Sequence, residues 1–203
     1  MSVPSCVITA KVLLVVLCGT EQEAEQALRQ VTALLQGLEL EPKAAKTRVV
    51  HLTVGGDGFD FLGFHHHWVR ARGRTGGKRV EFLARWPSRR AMQQARDRIR
   101  TLTDRRRLLV APDMVIQDVN AFLRGWAAYF RIGNSTRMFD KMMAYAVGRM
   151  AGFIAKRHRR QTRYGWRVLQ TSPNRLGLMT LNGLVVAPRP NRPWRGLVAA
   201  HRR

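Results

Sequence analysis

His65, His66 and His67 follow one another shortly after Asp57 and Asp60, and imidazoles and carboxylates are the groups that most often hold a metal ion or move a proton. Successive strand residues point to opposite faces, so only two of the three imidazoles can meet one ion, and no cysteine or carboxylate at ligand spacing completes the set. Asp57 reads as a turn former and Asp60 as a surface strand residue, whereas polymerase or nuclease chemistry on magnesium needs two or three converging carboxylates; no Asp-Asp pair occurs. Gly73-Arg74-Thr75-Gly76-Gly77-Lys78 has the composition of a phosphate loop without its spacing, and no helix follows, so a flexible basic turn describes it. G-x-S-x-G, H-E-x-x-H and G-x-x-x-x-G-K-[ST] are absent. The expectation is a chain with no catalytic residues, no metal and no cofactor.

The arginines carry a different chemistry. Among 203 residues, 36 Lys+Arg oppose 13 Asp+Glu, for a net charge of +23. Thirty of the 36 are Arg, whose planar fork suits phosphate contacts and stacking on bases. Residues 1–66 hold five basic and seven acidic side chains, residues 67–203 hold thirty-one and six, and no acid follows Asp140. A polyanion-binding face therefore belongs to the later two thirds, with nucleic acid as its partner. Cys6 and Cys18 lack metal-ligand companions, which fits a reduced, cytoplasmic setting. Val12–Cys18 is an apolar run of seven behind Lys11, far short of the ~20 residues that cross a bilayer, so no membrane partner is expected.

The elements that must position these groups read as α+β. Val12–Leu17, rich in β-branched residues, predicts a strand buried on both faces. A helix over Glu21–Gln36 follows, with Thr20 as cap and Gly37 as stop; strands over Thr47–Val54 and Phe59–Phe64 come next. Residues 65–87 predict a hairpin around a Gly/Arg-rich loop, Ala71 to Lys78. Pro87-Ser88 opens a helix with the stripe Ala91, Ala95, Ile99, Leu102 and an arginine-filled opposite face. A second helix recurs on Val115, Val119, Phe122, Trp126 and Phe130 behind an Asp113 cap, closed by Gly133-Asn134. A third runs from Ser135 or Thr136 to about His158 on Phe139, Met142, Met143, Ala146, Met150, Phe153 and Ile154, its methionines read as core filling. From Gln161 the pattern predicts short strand-like pieces in a partly ordered basic tail.

Four strings, Gly58-Phe59-Asp60-Phe61-Leu62-Gly63-Phe64, Arg85-Trp86-Pro87-Ser88, Phe122 to Asn134 and Lys156-Arg157-His158, stand in an order and spacing that resembles the C-terminal half of bacterial group II intron reverse transcriptase/maturases, over about residues 12–180. The resemblance implies a partial polymerase-palm sheet with one packed helix (1–66), a connecting hairpin (67–87), a three-helix, thumb-like maturase-specific domain (88–160) and a basic C-terminal segment (161–203). It places Phe61, Leu62, Gly63 and Phe64 where the family's primer-grip hairpin lies, and Lys46-Thr47 at the palm's late lysine-bearing motif. It also implies a mobile-element protein that binds RNA, either group II intron RNA or a template-primer-like duplex, and assists splicing. Arg124, Arg131, Arg137, Lys156, Arg157 and Arg159 are the expected RNA contacts; helix-end capping and aromatic stacking are their structural alternative.

One departure bears on activity. Where the family carries Tyr-Ala-Asp-Asp before a strand like Val15-Val16-Leu17-Cys18, this sequence has Ala10-Lys11-Val12-Leu13. The fingers and the first palm aspartate would precede Met1, so the expectation is a truncated form that is not an enzyme by itself. The alternatives are an active or complementing RNA-directed DNA polymerase fragment, joined by a separate chain supplying fingers and palm, or a non-functional remnant of an intron-encoded gene.

Overall fold

The computed structural model describes residues 5–9, 14–40, 47–72 and 79–186, which fall in two compact units, Met1–Ser88 and Arg89–Arg203. Positions 10–13, Lys46, the Gly73–Lys78 run and the tail past 186 lie outside the described residues. The architecture is α+β. In the first unit β1 (Ser5–Thr9), β2 (Leu14–Cys18) and β3 (Arg48–His51) form an antiparallel sheet in the order β2-β1-β3, with α1 (Glu21–Gly37) against it. The apolar run does form a strand, but not a doubly covered one. β2 is an edge strand with Leu17 62% exposed, and the centre is taken by Ser5–Thr9, which the pattern does not announce. Thr20 starts α1 through a reciprocal pair: the Glu23 amide donates to Thr20 Oγ1 at 3.2 Å, and Glu23 Oε2 accepts from the amides of Gly19 (2.7 Å) and Thr20 (3.2 Å).

β4 (Phe59–Phe61), β5 (Phe64–Arg72) and β6 (Arg79–Pro87) make a second antiparallel sheet in chain order. Phe59–Phe64 is therefore two strands rather than one. Leu62 (φ 47°) and Gly63 (φ 78°) are both left-handed, a two-residue turn whose twist matches that of the strands it joins, and Phe61 pairs with Phe64 across it. Gly63 also accepts the Ser88 amide at 2.8 Å. Val50, Leu52 and Phe59 form the buried centre of this unit, packed by Val15, Phe61, Trp68 and Leu83.

The second unit contains α2 (Arg89–Leu102), α3 (Pro112–Phe130), α4 (Thr136–Arg157) and α5 (Thr162–Thr171). All seven apolar positions expected of α4 are buried, its methionines among them. On α2 the inward residues are Met92, Ala95, Ile99 and Leu102, so Met92 takes the place expected of Ala91. On α3 the buried line runs through Leu123, and Phe122 is only half-buried. Asp113 does not cap α3: Ala111 holds the cap position, Pro112 opens the helix and Asp113 lies in its first turn, where a negative charge meets the positive end of the dipole. Trp126 sits 5.0 Å from Phe139 and 5.1 Å from Phe130 between ring centres, locking α3 to α4.

The residues after Gln161 differ most from the pattern-based expectation. Instead of strand-like pieces they form α5, a 3-10 turn (Pro173–Gly177) and an irregular run that turns at Asn182-Gly183 and reaches Val186. Leu169, Leu178 and Leu181 are buried. Asn120 on α3 receives this run as a neighbouring strand would: its amide donates to Gly177 O at 2.8 Å, and its Oδ1 accepts the Met179 amide at 2.9 Å. Further on, Val186 bridges Ile132, its amide donating to Arg131 O at 2.7 Å.

Candidate nucleic-acid interface

The α4–α5 hairpin exists because of one glycine. A Cβ on Gly165 would lie 1.9 Å from Ala151 O and 2.7 Å from its carbonyl carbon, so only a residue without a side chain lets α5 run this close to α4. Arg159, at the turn between the helices, is itself left-handed (φ 51°). The closeness of the two helices and this sharp turn put eight side chains from 159–170 around one open cavity of about 860 Å³. Arg159, Arg160, Arg163 and Arg167 supply its charge, and Tyr164 and Trp166 its flat faces. Arg167 lies over the Tyr164 ring at 5.8 Å, and Tyr164 meets His158 edge-on at 5.5 Å. Guanidinium groups interleaved with aromatic rings supply both halves of nucleic-acid contact, charge for phosphates and stacking surface for bases.

Three of the five acidic side chains of this unit are engaged elsewhere. Asp97 pairs with Arg100 at 2.9 Å, Asp118 with Arg107 at 2.5 Å, and Asp104 accepts the Arg106 amide at 3.0 Å. No carboxylate lines the cavity among the described residues. A phosphate entering it meets only positive charge.

The six arginines and lysines expected to contact RNA do not form one group. Arg159 lines the α4–α5 cavity, and Lys156 is exposed in the last turn of α4. Arg124 and Arg131 line a different, smaller cavity of about 310 Å³ between α3 and the 179–186 run. Arg137 is exposed in the first turn of α4. Arg157 turns inward: its guanidinium donates to the carbonyls of Leu108 and, at 2.6 Å, Val110, holding the α2–α3 connection. Two more arginines do similar work. Arg149 donates to Thr103 Oγ1 at 3.0 Å and to the carbonyls of Thr103 (3.2 Å) and Arg100 (3.3 Å), a cation closing the negative end of α2; Arg107 donates to Leu102 O at 3.0 Å. Arg160, Arg163, Arg167, Tyr164 and Trp166 line this cavity and are not among the residues singled out from the sequence. The available signal was the alternation of Arg with Tyr and Trp over 159–167 in an acid-free stretch.

In the first unit the three histidines obey strand alternation. His65 and His67 lie on one face, 5.9 Å apart and within 5.3 and 6.0 Å of Trp86, while His66 stacks on Phe59 at 4.8 Å and 8° on the other. Asp60 Oδ1 lies 2.7 Å from His65 Nδ1. Burial, then the nearby Arg85 and His65 charges, lower the His66 pKa against a smaller upward pull from Asp60. Among the described residues no three His, Cys, Asp or Glu side chains come together as a metal site.

Comparison with known families reaches the same helices. Residues 92–171, from the first buried methionine of α2 to the last residue of α5, match the family described as group II intron, maturase-specific domain. The helical unit carries a group II intron maturase-specific domain. The match takes in Arg149, Arg157, Gly165 and the whole α4–α5 cavity, and it ends where the 3-10 turn begins. A maturase-specific domain is a non-catalytic part of such proteins. No curated protein matches the chain. No helix among the described residues is long and apolar enough to cross a membrane.

Proposed function

We propose that this protein binds group II intron RNA through the basic cavity of its maturase-specific domain and assists splicing by holding RNA structure, with no chemical step of its own. The observation that carries the reading is the convergence of Arg159, Arg160, Arg163 and Arg167 with Tyr164 and Trp166 on the α4–α5 hairpin inside the family match. Lys156, Arg137, Arg124 and Arg131 extend the contact as exposed cations on the flanking helices. Binding is dominated by phosphate contacts, so it weakens as counterions are added.

Polymerisation is not part of this proposal. By the family resemblance magnesium would be held by two carboxylates at the positions just before the Val15-Val16-Leu17-Cys18 run, where this sequence has Ala10, Lys11, Val12 and Leu13. The donor set does not fit the ion. Phe61 to Phe64 keep a hairpin, which we read as a retained primer-grip-like turn available for RNA contact.

Filter binding of a group II intron RNA across a salt series tests the proposal. With ~8 phosphate contacts, log K falls against log salt with a slope of about −6, and equal-length random RNA binds more weakly. A salt-insensitive affinity would defeat the phosphate reading, and equal affinity for random RNA would defeat the intron preference. Primed template with magnesium and nucleotides is expected to yield no extension.

A further inference from the structure

A second hollow adjoins the basic cavity and differs from it in chemistry. It measures about 300 Å³, and Trp166 and Gln170 line both. Its floor is apolar, from Met143, Val147 and Leu169, all buried; its rim carries Asp140, Asn182 and the cation Arg175. Trp166 stands between the two with 38% of its surface exposed, beside the helical residue Gly148, where even an added Cβ would keep 3.7 Å from the indole. A groove that attracts phosphates and a flat-walled recess one indole away have the geometry of a backbone track with a base pocket.

Asp140 gives the recess its selectivity. It is the last acid in the chain, in the half of the molecule where basic side chains dominate and a carboxylate works against polyanion binding. It is also not a helix-start residue, because the first turn of α4 holds no acid and dipole stabilisation fades beyond that turn. A carboxylate presents two acceptor oxygens side by side. Of the four RNA bases only guanine offers two adjacent N–H donors, N1–H and the N2 amino group, on its Watson–Crick edge. Adenine and cytosine set a ring acceptor nitrogen beside their amino group, and uracil flanks one N–H with two carbonyls; each would turn a lone pair toward the carboxylate.

We propose that this recess takes one unpaired guanine of the bound RNA, stacked on Trp166 and held edge-on by Asp140, while the flanking phosphates lie on Arg159, Arg163 and Arg167. The assignment rests on the RNA-binding reading above and names what that site recognises. Met143, Val147 and Leu169 provide an apolar floor for the base, and Asp140, exposed at the rim, presents its oxygens to the edge.

The test uses the full chain and uridine decamers carrying one central guanosine, inosine, adenosine or cytidine. Guanosine is expected to tighten binding about tenfold over the all-uridine decamer, in the range of one bidentate contact, with inosine, lacking the amino group, in between. Asp140→Asn should reduce the guanosine decamer to all-uridine affinity with the salt slope unchanged and the melting curve intact. Trp166→Phe should keep the preference and Trp166→Ala lose it. No guanosine advantage over adenosine and cytidine, or an advantage that survives Asp140→Asn, would overturn the pocket while leaving the phosphate groove standing. An all-uridine affinity indifferent to Arg159→Ala, Arg163→Ala and Arg167→Ala would overturn the groove, and the pocket with it.

Discussion

The two units solve the problem of burial differently. In the first, the described buried side chains are few, Val50, Leu52 and Phe59 at the centre with Ala24, Ala84, Pro87 and Ser88 apart, while Leu17, Leu34 and Leu38 stay largely exposed. In the second, every helix contributes buried residues, from Met92 on α2 to Leu169 on α5, and Leu178 and Leu181 add to them beyond α5. Charge divides in the same direction: acids outnumber bases up to residue 66, and bases dominate after it. The unit with the better core carries the larger self-repulsion. Its packing, backed by inward-turned arginines, must hold together a surface that only a polyanion would neutralise.

That contrast can be broken first at Gly165. Gly165→Ala places a methyl group inside contact distance of Ala151 O, and overpacking of this kind costs about 3 kcal/mol. Calorimetry should show the helical transition falling while the transition of the first unit stays, and RNA affinity should fall with it. An unchanged melting curve would mean that α5 does not need its close seat. Next, Arg149→Met removes a charged group that makes three hydrogen bonds at the end of α2, and a loss of about 2 kcal/mol is expected with little change in salt slope. Arg163→Ala should do the reverse: stability within ~0.5 kcal/mol of the parent chain, and a salt slope shallower by about 0.7. If both substitutions moved the same observable, the separation of structural from binding arginines would be wrong.

The smallest effect belongs to the first unit. His66 has a folded pKa below 6.5, chiefly from burial, so below pH 6.5 the unfolded chain binds more protons than the folded one. Stability of this unit is therefore full above that pH and declines as pH falls toward the folded value. His66→Phe, which keeps a ring against Phe59, should flatten the decline in thermal melts between pH 7.5 and 5.5. An identical slope in the variant would assign the decline to other groups.

Periodicity was informative wherever one helix face decides burial. The seven apolar positions of α4 and the Thr20–Glu23 start of α1 follow directly from residue type and spacing. Phe122 and Leu123 are adjacent and both apolar, so their order of burial depends on the rotation of α3 against its neighbours, which no single helix encodes. α5 is hidden for a physical reason: its buried positions are Gly165 and Leu169, and a glycine that argues against a helix by propensity is what lets this one pack. The arginines were legible as a population and not as individuals. Arg157 and Arg159 are two positions apart with identical side chains, yet one satisfies carbonyls 47 and 49 residues earlier in the chain while the other faces an open cavity. Charge counting cannot separate them, because the distinguishing partner is a backbone group supplied by the fold.

The Asn120 latch sets how far this domain can be shortened. The family match stops at 171, but the donor and acceptor of that side-chain amide are used by Gly177 and Met179, and Leu178 and Leu181 are as deeply placed as any residue of α4. Trimming the chain at Thr171 would strip two leucines from the interior and leave a surface amide on α3 bonded only to water. A piece that keeps its own interior closed must run at least to Leu181, ten positions past the end of the family match, and the Val186–Ile132 bridge lies further on.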